Sequence, residues 1–197
     1  MRFAGVEVKT DVPCRLRDGT VLYADVYEPA EDGEYPVLLM RQLYGKRLAS
    51  TVTSAHPSWY ARHGYIVVVQ DVRGIGASEG TLHPFLQEEE DGYDAVEWAA
   101  RLPRANGKVG MYGFSYQGFT QLAAAAAAPL SLVAIAPGMT AADLYHERFY
   151  PHGRFAWGAQ LRWAFQIARD QAQRAGDRAG AAEAGRLMRD PGPLLRQ

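Results

Sequence analysis

Residues 65–70, Tyr65-Ile66-Val67-Val68-Val69-Gln70, carry three consecutive valines and stop at Asp71. They are the clearest strand in the chain. A second run, Tyr35-Pro36-Val37-Leu38-Leu39-Met40, is almost wholly apolar. A strand that faces water on one side alternates apolar and polar residues, whereas a run without alternation suits a strand covered on both faces. Lys108-Val109-Gly110-Met111-Tyr112 reads as a short strand and Leu132-Val133-Ala134-Ile135-Ala136 as another buried one. Helical segments separate these runs: residues 54–63, ending before Gly64; residues 88–101; and the alanine-rich residues 117–128, ending at Pro129. In the second of these, Tyr93, Val96 and Ala100 recur at i, i+3 and i+7 and form the expected core-facing stripe, with Trp98 off its centre. Glu88, Glu89, Glu90 and Asp91 lie near its start, where carboxylates complement the helix dipole. Strands alternating with helices predict an α/β fold, a mostly parallel sheet with helices on both faces.

The two ends differ from this middle. Residues 6–10 alternate, Asp18-Gly19 marks a hairpin-type turn, and residues 21–27 follow as a second strand. This antiparallel pair is expected at one edge of the sheet. After Pro137 the only β-branched residues are Thr140 and Ile167. Residues 156–189 are rich in good helix formers and are broken by glycines at 176, 180 and 185, which reads as helical hairpins. The organisation expected is therefore a core over residues 1–139 and the beginning of a helical cap over residues 140–197.

Composition narrows the function classes. With 22% charged residues and a net charge of −1, the chain lacks the basic excess of a nucleic-acid binder. No nucleic-acid partner is expected. The longest apolar run, residues 122–129, is too short to span a bilayer, and the N-terminus has no apolar signal-type core. No membrane association is expected, and the cytoplasm is the expected location. Cys14 is the only cysteine; it can form no internal disulfide and reads as a small strand residue. His56, His63 and His83 lack metal-ligand spacing. Gly74-Ile75-Gly76 follows a strand, but no helix opens after it and the third glycine is misplaced for a dinucleotide fingerprint. Neither metal nor cofactor is expected. The oligomeric state stays open, a homo-oligomer included.

The chemistry concentrates at Gly113-Phe114-Ser115-Tyr116-Gln117-Gly118, between a strand and a helix. A serine hydroxyl is a poor nucleophile until a base takes its proton. A sharp strand-to-helix turn lifts that hydroxyl above the sheet and aims the next backbone amide, here Tyr116, at a developing oxyanion. Ser115 is thus the candidate nucleophile and the Tyr116 N–H a candidate oxyanion donor. The commoner elbow is G-x-S-x-G; here Gln117 displaces the last glycine to position 118.

At this point a resemblance becomes specific. The chain resembles the family of cocaine esterase, α-amino-acid ester hydrolase and X-prolyl dipeptidyl peptidase. The stretches that carry it are Leu43-Tyr44-Gly45-Lys46; Asp71-Val72-Arg73-Gly74-Ile75-Gly76-Ala77-Ser78-Glu79-Gly80; Asp91-Gly92-Tyr93-Asp94 with Trp98; and Gly110-Met111-Tyr112-Gly113-Phe114-Ser115-Tyr116-Gln117-Gly118. The family's elbow, G-x-S-Y-x-G, accommodates Gln117. The resemblance implies an α/β-hydrolase fold, a serine hydrolase of ester or amide substrates, X-Pro peptides included, and a second oxyanion donor at the Tyr44 hydroxyl. Asp71 and Arg73 read as braces for their loop.

A serine hydrolase also needs a general base and a residue to orient it. In this fold they follow later strands. His146 and His152 follow no recognisable strand and read as cap or pocket-wall residues, as do the aromatics Tyr145, Phe149, Phe155 and Trp157. The expectation is that the triad acid and histidine lie outside these residues and that the chain is truncated. The alternative reading is an inactive remnant or a small-molecule-binding fragment. An unusual triad completed by His146 or His152 is the third.

Overall fold

The computed structural model describes residues 4–47, 54–190 and 192. They belong to two compact units, Met1–Thr140 and Ala141–Gln197.

The first unit is built on a six-stranded sheet of order β1-β2-β4-β3-β5-β6. Its strands are β1 (Val6–Arg15), β2 (Val21–Pro29), β3 (Tyr35–Gln42), β4 (Ile66–Asp71), β5 (Ala105–Phe114) and β6 (Leu132–Gly138). The β1–β2 hairpin is antiparallel and pairs antiparallel with β4, while β4, β3, β5 and β6 run parallel. All six residues of β4 are buried, as its unalternating sequence requires. Burying each valine or isoleucine there stabilises the fold by about 2 kcal/mol. Ile66 and Val68 face one layer with Val37, Leu39, Val109 and Met111. Val67 and Val69 face the other with Met40 and Tyr112.

Helices cover both faces. The first layer is closed by α2 (Glu88–Ala100) and α3 (Tyr116–Ala126), through Ala95, Val96, Ala99 and Ala124. The second is closed by α1 (Pro57–Arg62) through Ala61. The stripe expected from Tyr93, Val96 and Ala100 is only part of the buried face of α2: Val96 is buried and Ala100 packs against the core, but Gly92, Ala95 and Ala99 are buried too and Tyr93 is only half-buried beneath Arg17. The reason is the approach of α3, where a Cβ on Gly92 would come within 2.8 Å of Ala124 Cβ. Small residues define that contact, and periodicity of the large ones misses it.

A second departure concerns β6. Expected as buried, it is exposed through residues 133–137, with Val133 at 61%. Among the described residues it is the last strand of the sheet and pairs only with β5. Apolar sequence reports what a strand is made to face, and here one side has no neighbouring strand.

The second unit is helical. A π-helical turn (Leu144–Phe149) and a short 3-10 turn (Pro151–Gly153) precede α4 (Trp157–Arg174) and α5 (Arg178–Arg189). Only Gly176 interrupts these two helices, with φ +75°. Gly180 and Gly185 lie inside α5, where sequence suggested further breaks. Gly180 stays helical because its N–H donates to the capping carboxylate of Asp177, 2.9 Å away. No helix among the described residues is long and apolar enough to cross a membrane.

Candidate active site

In a parallel sheet, side chains that do chemistry gather where strands end at their C-terminal edge. Four neighbouring strands end together here. Gln42 of β3 is paired with Asp71 of β4, and Phe114 of β5 with Gly138 of β6. Ser115 leaves the end of β5 and Tyr44 lies two residues beyond the end of β3, the adjacent strand.

Ser115 has φ +60° and ψ −118°. That region is costly for any residue with a Cβ and persists only where the surroundings enforce it. Several constraints do so. Its N–H donates to the carbonyl of Gly138 at 2.9 Å. Its own carbonyl accepts from Gly118 and Phe119 as α3 begins. Ser115 is partly exposed, between half-buried Phe114 and buried Tyr116. The flanking glycines are steric necessities. At Gly113 (φ +141°) a Cβ would sit 2.5 Å from Gln117 Cβ, and at Gly118 it would sit 2.9 Å from the Gly138 carbonyl oxygen.

Gln117 occupies its position for a reason the motif alone does not reveal. Its side chain folds back over the turn and Oε1 accepts from the Phe114 N–H at 3.1 Å. Its Nε2 donates to Gln42 Oε1 at 3.2 Å. One amide thus closes the elbow and ties it to the adjacent strand end.

The Tyr44 loop is held with similar economy. The Lys46 N–H donates to Asp71 Oδ1 at 2.6 Å. The buried Lys46 ammonium bonds Asp11 at 2.5 Å and lies within 4 Å of Asp25 and Asp71. That ammonium holds the Asp11 carboxyl below the usual range. Tyr44, half-buried, sits between this anchor and buried Leu43. The brace expected of Arg73 is present: its guanidinium grips both oxygens of Asp91, at 3.0 and 2.7 Å, and also bonds Asp18 and Thr20.

Tyr116, first residue of α3, is buried, and its phenol donates to Glu88 Oε1 at 2.8 Å and accepts from the Phe85 N–H at 3.1 Å. Burial first, and then the Glu88 carboxylate, push the phenol far above the tyrosine range. The other Glu88 oxygen accepts from Arg41 Nη1 at 2.7 Å, with Arg41 fully buried. Glu88 lies in the first turn of α2, as expected, and there also serves a buried ion pair. The available signal was Arg41, a lone cation closing an apolar strand, which demands a buried partner.

The remaining candidates have local explanations. His56 Nδ1 pairs with Ser58 Oγ at 2.8 Å, and burial lowers its pKa. His63 Nδ1 pairs with the Trp59 carbonyl. Asp143 caps the turn that follows it, accepting from the His146 N–H at 3.0 Å and pairing with His146 Nδ1 at 2.7 Å, both side chains exposed. Ser115 lies in the first unit, His146 and His152 in the second. Cys14 is buried and its thiol is pushed up to about 12 by desolvation, which makes it a core residue. No cluster of three or more potential metal ligands exists among the described residues.

The sheet order, the helices on both faces and the strained turn after β5 define the α/β-hydrolase class. Solved structures agree. A CocE/NonD family hydrolase from Staphylococcus aureus superposes with a TM-score of 0.78 at 29% identity, over 84% of this chain and 33% of that one. An α-amino-acid ester hydrolase shares the fold at a TM-score of 0.67 and 22% identity, over 87% and 36%. In sequence, the cocaine esterase of Rhodococcus sp. (strain MB1 Bresler) is 41% identical over 163 residues, which is 81% of this chain and 28% of that protein. The chain belongs to the family described as X-Pro dipeptidyl-peptidase (S15 family), whose pattern it matches over residues 18–194. It spans about a third or less of the length of these esterase and hydrolase relatives.

Proposed function

We propose that this chain carries the nucleophile and oxyanion donors of a serine hydrolase acting on small acyl substrates, esters or amides, X-Pro peptides included. The observation that carries the reading is the backbone of Ser115, held at φ +60° where β5 meets α3. The hydroxyl attacks the substrate carbonyl and its proton passes to a histidine. The tetrahedral oxyanion is stabilised by the Tyr116 N–H and the Tyr44 hydroxyl. The leaving group departs with a proton, and water then releases the acid from the acyl-enzyme.

The histidine and its orienting acid belong, on this reading, to sequence outside the 197 residues. Two observations support that: the local roles of His56 and His63, and the fraction of the relatives that the chain spans. The 197 residues alone are expected to turn over several orders of magnitude more slowly than a complete triad. The test is fluorophosphonate labelling of the full-length protein with peptide mapping. Label on Ser115, lost together with esterase activity in Ser115→Ala, supports the reading. Unchanged ester hydrolysis by Ser115→Ala overturns it.

A further inference from the structure

The Tyr116 side chain lies in the core and takes no part in the chemistry assigned to its amide. It nonetheless forms the end of a buried chain of polar contacts that crosses three elements. Arg41, on β3 and fully buried, donates to Glu88, the first residue of α2, at 2.7 Å. Glu88, 3% exposed, accepts with its other oxygen from the Tyr116 hydroxyl at 2.8 Å. The Phe85 N–H donates to the same hydroxyl at 3.1 Å, and the Phe85 ring lies 5.1 Å from that of Tyr116. A tyrosine side chain has two principal torsions. With the ring packed and its hydroxyl bonded twice, both are held, and the Cα from which the ring projects is held with them. That Cα belongs to the same peptide as the proposed oxyanion N–H.

We infer that Glu88 is a positioning residue for the oxyanion amide, acting through the Tyr116 phenol. This rests on the proposed role of Ser115 and Tyr116. A backbone turn as strained as the one at Ser115 relaxes unless its neighbours over-determine it, and a donor displaced from the oxyanion loses transition-state stabilisation while substrate binding is little changed. The high pKa of the phenol keeps it a donor throughout the neutral range.

The alternative is that Arg41, Glu88 and Tyr116 contribute stability alone. Three variants of the full-length protein separate the two, each measured for kcat and KM on an activated aryl ester and for Tm. Tyr116→Phe keeps the ring and the Arg41–Glu88 pair but removes the tether; kcat is expected to fall about tenfold with KM nearly unchanged. Glu88→Gln keeps an oxygen for the phenol but leaves the Arg41 charge without a carboxylate, its bond to Gln70 remaining; Tm is expected to fall while most of kcat survives. Glu88→Ala is expected to lose both. Unchanged kcat in Tyr116→Phe, or kcat following Tm across all three, overturns the inference. Ser115→Ala runs alongside. If it abolishes activity while Tyr116→Phe does not, only the positioning role falls; if it leaves activity intact, the nucleophile reading falls and takes this role with it.

Discussion

The Gln117 side-chain amide reaches from the nucleophile turn to the end of the neighbouring strand, donating to Gln42 Oε1 at 3.2 Å. Its oxygen is committed to the Phe114 N–H, so the orientation of the amide is set by the backbone it caps. A glycine in the same place, as in the commoner elbow, would leave both groups unsupplied.

Gln117→Ala is therefore expected to destabilise the protein by about 2 kcal/mol, the cost of leaving buried polar groups without partners. Urea denaturation followed by circular dichroism measures it. A loss below about 0.5 kcal/mol, the scale of an ordinary surface substitution, would show that the bridge is incidental.

Gly113→Ala and Gly107→Ala form a matched pair. Both glycines have positive φ, at +141° and +80°, but a Cβ at Gly107 meets nothing within 4 Å whereas one at Gly113 meets Gln117 Cβ at 2.5 Å. The Gly107 variant is expected to lose about 1 kcal/mol from backbone strain alone. The Gly113 variant is expected to lose about 3 kcal/mol, strain and overpacking together. Equal losses in the two unfolding curves would remove the packing argument for the elbow glycine.

Acid sensitivity has a specific source at the Arg73 brace. Arg73 beside Asp18, with help from the Thr20 N–H, holds that carboxyl at about 2, below its ordinary 3.8. A depressed folded value means that the contribution is complete above the ordinary value and disappears as pH falls through the folded one. The urea midpoints of wild type and Asp18→Asn are expected to differ at pH 6 and to converge between about pH 4 and 2. The difference is small, because Asp18 is 48% exposed. A gap that persists unchanged to pH 2 would contradict this assignment.

The exposed β6 gives a prediction about association. On β6, Val133 is 61% and Ile135 37% exposed, and Leu130, just before the strand, is 92% exposed. Uncovered apolar edges pair with other chains, and a lysine on the edge opposes that. Val133→Lys in the 197-residue chain is expected to lower its self-association in sedimentation velocity and to leave its circular dichroism unchanged. An unaltered distribution of species would mean that this edge is not the adhesive surface.

The parts legible in the sequence were those decided locally. Three valines in β4, the apolar run of β3 and the glycine-flanked serine each declare their environment within a few residues. The parts that were not legible depend on partners far along the chain. Glu88 stands among other acids, and only the fold shows that it faces Arg41, 47 residues away, and Tyr116, 28 residues away. The resemblance accommodates Gln117, but what its side chain does depends on Gln42, 75 residues earlier, which only the fold brings beside it. The face of α2 is legible only in part, at Val96, because small residues that permit close approach carry little hydrophobic signal. The exposure of β6 is a property of its neighbours, which its own composition cannot express.

The hydrogen bond from the Ser115 N–H to the Gly138 carbonyl has a consequence for synthesis on the ribosome. The corner that presents the hydroxyl is not complete when its own residues emerge; it waits for the strand made 17 to 23 residues later, which supplies the carbonyl that pins it. A nascent chain halted before that carbonyl emerges holds the serine but not the bond that sets its backbone.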